Sequence, residues 1–275
     1  MTSSEHNKRV YKKLVLDGGG SFGIAYIGVI KALEHTGLLS EIDTFIGSSV
    51  GSILSMLLVL GYTPQEIHGI IVGLDFDKVY SLKSMNMLKS FTYGCRKYIS
   101  KVIQTAIHNR CGMNDITMLE LYEQTKKTLV IHTTCICDNK PVYIDHITHP
   151  NISLRKAIDM SISIPFIFPE VEHDGKLYVD GCLCQLPFHL YDKDHLICLF
   201  DRQTENTLNK KEKFYFAKQL VQTIGKVDTN HAFYDSLHIV KIPIVGIHSL
   251  SNPNESQTNE LIRNGFQSII KFIRE

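Results

Sequence analysis

Residues 42–60 read IDTFIGSSVGSILSMLLVL, and the change of character along them decides the fold. Ile42 to Ile46 is a short apolar run with β-forming residues, which predicts a buried strand. Gly47-Ser48-Ser49-Val50-Gly51 is a turn. Ser52 to Leu60 is mostly apolar and closes at Gly61, as a buried helix does. The stretch from Ile53 is far short of the ~20 residues that a membrane-spanning helix needs.

The same order recurs upstream. Lys13 to Leu16 (KLVL) predicts a buried strand that stops in Asp17-Gly18-Gly19-Gly20. From Phe22 to Thr36, Ile24, Ile27, Val29, Ile30 and Leu33 fall at helical spacing, with Gly37 as C-cap. Downstream, Thr63-Pro64-Gln65-Glu66 opens a helix with Thr63 as N-cap and Pro64 in the first position. Two strand–glycine turn–helix units in succession imply an α/β fold with a mostly parallel sheet and helices on both faces.

Further along, Thr128–Thr134 and Val142–Ile147 read as strands, and Leu154–Ser161 as a helix stopping before Pro165. Asp174-Gly175 is a tight turn between two strands, the second ending at Tyr178-Val179-Asp180. His195–Phe200 is another apolar strand. Lys211–Thr223 and Glu260–Ile273 read as late helices, and Phe76–Tyr93 as an irregular loop or flap. With no repeat or low-complexity linker, residues 1–12 read as a polar tail and 13–275 as one domain.

The bulk composition narrows the partners. A net charge of +1 gives no electrostatic case for nucleic acid. The polar, basic start lacks the apolar run of a signal peptide. Seven cysteines, an odd number in a long chain, fit reduced thiols and a cytoplasmic setting.

Gly47-x-Ser49-x-Gly51 is the pattern of a nucleophile elbow, in which a serine sits on a sharp strand-to-helix turn. Side chains two residues to either side would collide with the crowded strand and helix, so glycines belong there. The helix that follows offers free N–H groups and a positive dipole end to developing negative charge. A structural turn without chemistry has the same spelling, and Ser48 is a rival hydroxyl without flanking glycines. The loop Asp17–Gly23 admits two readings. Its spacing satisfies the G-x-G-x-x-G dinucleotide fingerprint, but that motif wants an acidic residue after the next strand. Here Glu41 and Asp43 precede or lie within that strand. Alternatively, consecutive glycine amides at a helix start form an oxyanion hole.

A serine hydroxyl needs a base. Of thirteen histidines, His132 and His195 lie in strands as core residues would, and His248 sits in a late loop where an α/β-hydrolase esterase carries its base. Asp180, at a strand end before Gly181, is the alternative.

Three pieces together resemble the patatin-like phospholipase family: Asp17-Gly18-Gly19-Gly20-Ser21-Phe22-Gly23, Gly47-Ser48-Ser49-Val50-Gly51, and Asp180-Gly181-Cys182. Ala32-Leu33-Glu34 and the run SISIPFIFPEVEHDGKLYVDG, Ser161 to Gly181, are also similar to the family. The resemblance covers residues 13–65 and 150–187. It implies a three-layer patatin-like fold and a calcium-independent lipid acyl hydrolase of phospholipase A or lysophospholipase type. It also implies a Ser49–Asp180 dyad, with the backbone of Gly18, Gly19 and Gly20 as oxyanion hole. Gly23, Gly47, Gly51 and Gly181 complete the motifs. The implied substrate is a phospholipid or lysophospholipid, met by peripheral contact with a membrane surface. Met85, Met87, Leu88, Lys89 and Phe91 are candidates for that contact. Three departures bear on rate and substrate: Phe22 stands where the family often has Arg or Lys, Cys182 replaces a small Gly or Ala, and Leu183–Pro187 is one residue shorter.

No cofactor and no metal is expected. Cys135-x-Cys137 and Cys182-x-Cys184 have a one-residue gap, tighter than structural zinc sites use.

Overall fold

In the computed structural model, residues 10–75, 78–79, 88–165, 167–184, 186, 190–202 and 236–275 are described, with backbone only over 88–95. β1 (Lys13–Leu16) and β2 (Thr44–Ser48) run parallel, with Leu14 opposite Phe45 and Leu16 opposite Gly47. Their side chains alternate between the two faces of the sheet. Leu14, Leu16 and Phe45 join the large hydrophobic cluster, whereas Val15 and Ile46 join a smaller one with Tyr191, Ile197 and Leu199.

The remaining strands are β3 (Thr128–Cys135), β4 (Lys140–Ile144), β5 (Val171–His173), β6 (Lys176–Asp180), β7 (His195–Arg202) and β8 (His238–Ile244). The sheet order is β5-β6-β3-β2-β1-β7-β8, with β4 paired to β3 off this path. From β3 to β8 the neighbours are parallel, and the pairs of β3 with β4 and β6, and of β5 with β6, are antiparallel. The hairpin between β5 and β6 turns on Asp174 and Gly175, both at positive φ, as the Asp-Gly pair demands.

The helices are α1 (Ile24–His35), α2 (Val50–Val59), α3 (Pro64–Val72), α4 (Leu88–Cys111), α5 (Met118–Thr125), α6 (Leu154–Ser161) and α7 (Glu255–Arg274). α2 is buried along its whole length, which accounts for its mostly apolar sequence. α3 starts on a full capping box: the Glu66 amide donates to Thr63 Oγ1 at 3.3 Å, and the Thr63 amide to the Glu66 carboxylate at 2.8 Å. α1 and α7 cross backbone to backbone. A Cβ on Gly28 would stand 1.9 Å from the Ile262 carbonyl oxygen, and one on Gly265 would stand 1.9 Å from that of Ala25. Only glycine permits such an approach.

α6 spans the residues expected, and several strands shift by one to three residues. α4, α5 and β8 were not anticipated, and the stretch read as irregular over 76–93 is helical from Leu88 onward. The proposed membrane-contacting side chains and the expected helix Lys211–Thr223 lie outside the described residues. Among the described residues no helix is long and apolar enough to cross a membrane.

Candidate active site

Because β1 and β2 are parallel neighbours, the loops that leave their C-terminal ends emerge side by side. This is the usual position for a ligand crevice in a parallel sheet. The glycine loop and the elbow therefore meet. A Cβ on Gly18 would lie 3.2 Å from Ser49 Cβ, and one on Gly23 would lie 2.4 Å from the Val50 side chain. The elbow itself is closed by its glycines. A Cβ on Gly47 would meet the Gly51 carbonyl at 2.4 Å, and one on Gly51 would meet the Leu16 carbonyl at 1.9 Å.

Between those glycines Ser49 has φ 51° and ψ −123°. A non-glycine residue held at such angles stores about 1–3 kcal/mol of strain. The surroundings impose it. The Ser49 amide donates to Ser161 Oγ at 2.9 Å, and the Ser49 carbonyl accepts from the Ser52 hydroxyl at 2.6 Å. The Ser49 hydroxyl donates to Asp180 Oδ2 at 2.7 Å.

Asp180 reaches this point because β6 runs antiparallel to β3, with Asp180 opposite Thr133. Its carboxyl is fully buried, while Ser49 is 5% exposed. Asp180 Oδ1 accepts the Cys182 amide at 2.8 Å, and the Asp180 amide donates to the Ser163 carbonyl at 2.9 Å. Burial pushes the Asp180 carboxyl up to about 6, against the opposing pull of the Cys182 amide and the Ser49 hydroxyl. A carboxylate raised in this way is a better proton acceptor than an exposed aspartate. Gly181 leaves room for the chain behind the base: a Cβ there would meet the His132 carbonyl at 2.5 Å and Ser48 Oγ at 2.6 Å.

In the glycine loop, the Gly18 amide donates to its neighbour Asp17 Oδ1 at 2.7 Å. The amides of Gly19 and Gly20 make no hydrogen bond among the described residues. Gly20 has φ 57°, the left-handed conformation that glycine adopts at no steric cost. The loop is pinned from the far end of the chain. The Ser21 amide donates to the Ser249 carbonyl at 2.8 Å, and its hydroxyl reaches the carbonyls of His248 and Ser249 at 3.1 and 3.2 Å.

The three histidines weighed from the sequence stand elsewhere. His248 lies behind the glycine loop, where its Nδ1 accepts the Leu250 amide at 3.2 Å. His195 is bonded to Asp192. His132 is fully buried, and desolvation lowers its ring to about 4. Among the described residues none of them hydrogen-bonds Ser49. The Ser48 hydroxyl is buried and has no hydrogen-bond partner among the described residues. Phe22 is a core residue, 5.7 Å edge-on from Phe200, so an aromatic contact occupies the position where a cation was looked for. Cys182 donates its amide to the Asp180 carboxylate.

Sequence reasoning missed Ser161, Ser163 and the Asp17 carboxylate as parts of this arrangement. The run from Ser161 to Gly181 was singled out, but nothing in its spelling reveals that Ser161 reaches Ser49, 112 positions away.

This set of elements has relatives. Residues 14–190 match the family described as Patatin-like phospholipase, and the chain belongs to that family. It is 31% identical over 179 residues to "Probable lipid hydrolase 463L" of Invertebrate iridescent virus 6, covering 63% of this chain and 60% of the other. It is 30% identical over 268 residues to Triacylglycerol lipase 4 of Saccharomyces cerevisiae, covering 83% of this chain and 29% of the lipase. The chain thus spans about three fifths of the viral relative and under a third of the yeast one. In three dimensions it resembles VipD from Legionella pneumophila, with TM-score 0.67, 16% identity, 96% of this chain and 67% of that one. The type III effector ExoU of Pseudomonas aeruginosa follows, with TM-score 0.55, 18% identity, and coverage of 96% and 53%. At those identities the likeness is one of fold, a mostly parallel sheet with helices.

Proposed function

We propose that the chain is a calcium-independent lipid acyl hydrolase of phospholipase A or lysophospholipase type, working through a Ser49–Asp180 dyad. The observation that carries this reading is the 2.7 Å hydrogen bond from the Ser49 hydroxyl to a fully buried Asp180 carboxylate. Asp180 Oδ2 takes the hydroxyl proton as Ser49 Oγ attacks the ester carbonyl carbon. The oxyanion is held by the amides of Gly19 and Gly20, with Gly18 oriented by Asp17 to shape the loop. Asp180 then returns the proton to the departing alcohol oxygen, leaving an acyl-Ser49. Water, deprotonated by the same carboxylate, hydrolyses the acyl-enzyme and restores the serine.

The yeast relatives are named as triacylglycerol lipases, and the same dyad would cleave those esters. Lipid digests followed by mass spectrometry in the presence of a calcium chelator test the reading. They should include phospholipid, lysophospholipid and triacylglycerol, with wild type set against Ser49→Ala and Asp180→Ala. Release of fatty acid by the wild type alone supports the dyad, and the lipid consumed names the substrate. Full activity in either variant, or activity only with calcium, overturns the reading.

A further inference from the structure

The end of α6 touches both halves of the dyad. Ser161, its last residue, is fully buried and sits 112 positions from Ser49 in sequence. Its hydroxyl works in both directions, as a hydroxyl can. Oγ accepts the Ser49 amide at 2.9 Å and donates to the His132 carbonyl on β3 at 2.6 Å. Two residues on, the Ser163 carbonyl accepts the Asp180 amide at 2.9 Å. The three-residue segment Ser161-Ile162-Ser163 therefore holds the nucleophile through a side chain and the base through a carbonyl. It is anchored in turn: the Ser163 hydroxyl donates to the Asp159 carbonyl, and Arg96 Nη2 from α4 donates to Ser163 Oγ and to the Pro169 carbonyl.

We propose that residues 161–163 form a strap that sets the distance between nucleophile and base, with Ser161 as the positioning residue of Ser49. The proposal rests on the dyad reading above. The physical ground is the elbow's conformation. Ser49 is held at a φ that a serine does not choose, and its amide lies at a helix start, where no intrahelical partner exists. Ser161 supplies that partner. Without it, the elbow can relax about Ser49 and the hydroxyl can move away from Asp180. A displacement of about 1 Å between reacting groups costs on the order of 100-fold in rate.

The test compares full-length wild type with Ser161→Cys, Ser161→Thr and Ser49→Ala. Cysteine keeps the volume but hydrogen-bonds weakly, whereas threonine keeps the hydroxyl. Hydrolysis of a short-chain p-nitrophenyl ester and hydrogen–deuterium exchange of the elbow amides are measured on each. Ser161→Cys should lower kcat about 10- to 100-fold with KM little changed, and should speed exchange at the elbow. Ser161→Thr should restore most of both. Ser49→Ala should lose activity but keep the slow exchange. A Ser161→Cys protein with kcat within twofold of wild type overturns the proposal, and so does a rate loss without faster exchange or without recovery in Ser161→Thr. Full activity in Ser49→Ala overturns the dyad reading instead, and the exchange comparison still judges the strap.

Discussion

Ser49 and Asp180 stand 131 positions apart in the chain and 2.7 Å apart in space, hydroxyl to carboxylate. Their meeting depends on one antiparallel pairing, β6 on β3, in a sheet whose centre is parallel. Replacing Asp180 with Asn keeps the shape and removes the proton acceptor. Asp180→Asn should lower kcat by about 10²–10⁴-fold. Covalent labelling of Ser49 by a fluorophosphonate should slow in parallel. Unchanged labelling would mean that another group activates the serine.

The same carboxyl sets a pH dependence. It must be ionised to accept a proton, and burial raises it to about 6. The kcat/KM profile should therefore rise with pH through about 6 and level off above it. A limb centred near 4, where an exposed aspartate titrates, would contradict a desolvated base.

Stability should show the opposite trend. The folded carboxyl binds its proton more tightly than the unfolded one, so that contribution is complete below about 4 and lost as pH rises through about 6. Above that point the fold holds a buried charge. Asp180→Asn should thus stabilise the protein at pH 8, by about 1–3 kcal/mol, and make little difference at pH 4. Thermal unfolding at both pH values measures this, and equal Tm differences would refute it.

Gly51 stands over the Leu16 carbonyl, with no room for a Cβ. Gly51→Ala forces β1 away from the start of α2. It should destabilise by roughly 3 kcal/mol or more and abolish hydrolysis, whereas Gly69→Ala, with open space around it and no positive φ, meets no such clash. Denaturant unfolding of the two variants decides the point.

Phe22 lies 1% exposed against Phe200, and Tyr26 lies 4.6 Å from the same ring. Installing the cation that the family often carries there, Phe22→Lys, would bury an unpaired charge and vacate an aromatic contact. A loss of about 3–5 kcal/mol in unfolding free energy is expected. A variant as stable as wild type would show that the loop can turn this side chain outward.

Local signals explain what was legible. The two glycine turns, the Thr63-Pro64 cap, the Asp174-Gly175 hairpin and α6 each rest on residues within a few positions of one another, and the structure has them all. α5 had an unread signal of the same kind, the Thr117–Glu120 capping box. In α4, Ile99, Ile103, Ala106 and Ile107 form a helical apolar face, but Thr92, Tyr93 and Gly94 before them disfavour helix. In β8, Val240, Ile242 and Ile244 alternate correctly, yet Pro243 argues against a strand except at a sheet edge, where β8 lies. The base could be named only by family resemblance, and Ser161 not at all. Both act through tertiary contacts that local pattern does not encode.

The backbone crossing of Gly28 with Gly265 and the hold of Ser249 on Ser21 also bear on the order of synthesis. The first strand, the glycine loop and Ser49 are made before residues 248–275, which support that loop. A nascent chain that already carries Ser49 and Asp180 but not residues 248–275 lacks the Ser21 contacts with His248 and Ser249. If Ser49 and Asp180 are the proposed dyad, both are made before the segment that braces the loop beside them, and the crevice gains that support only once residues 248–275 have folded onto it.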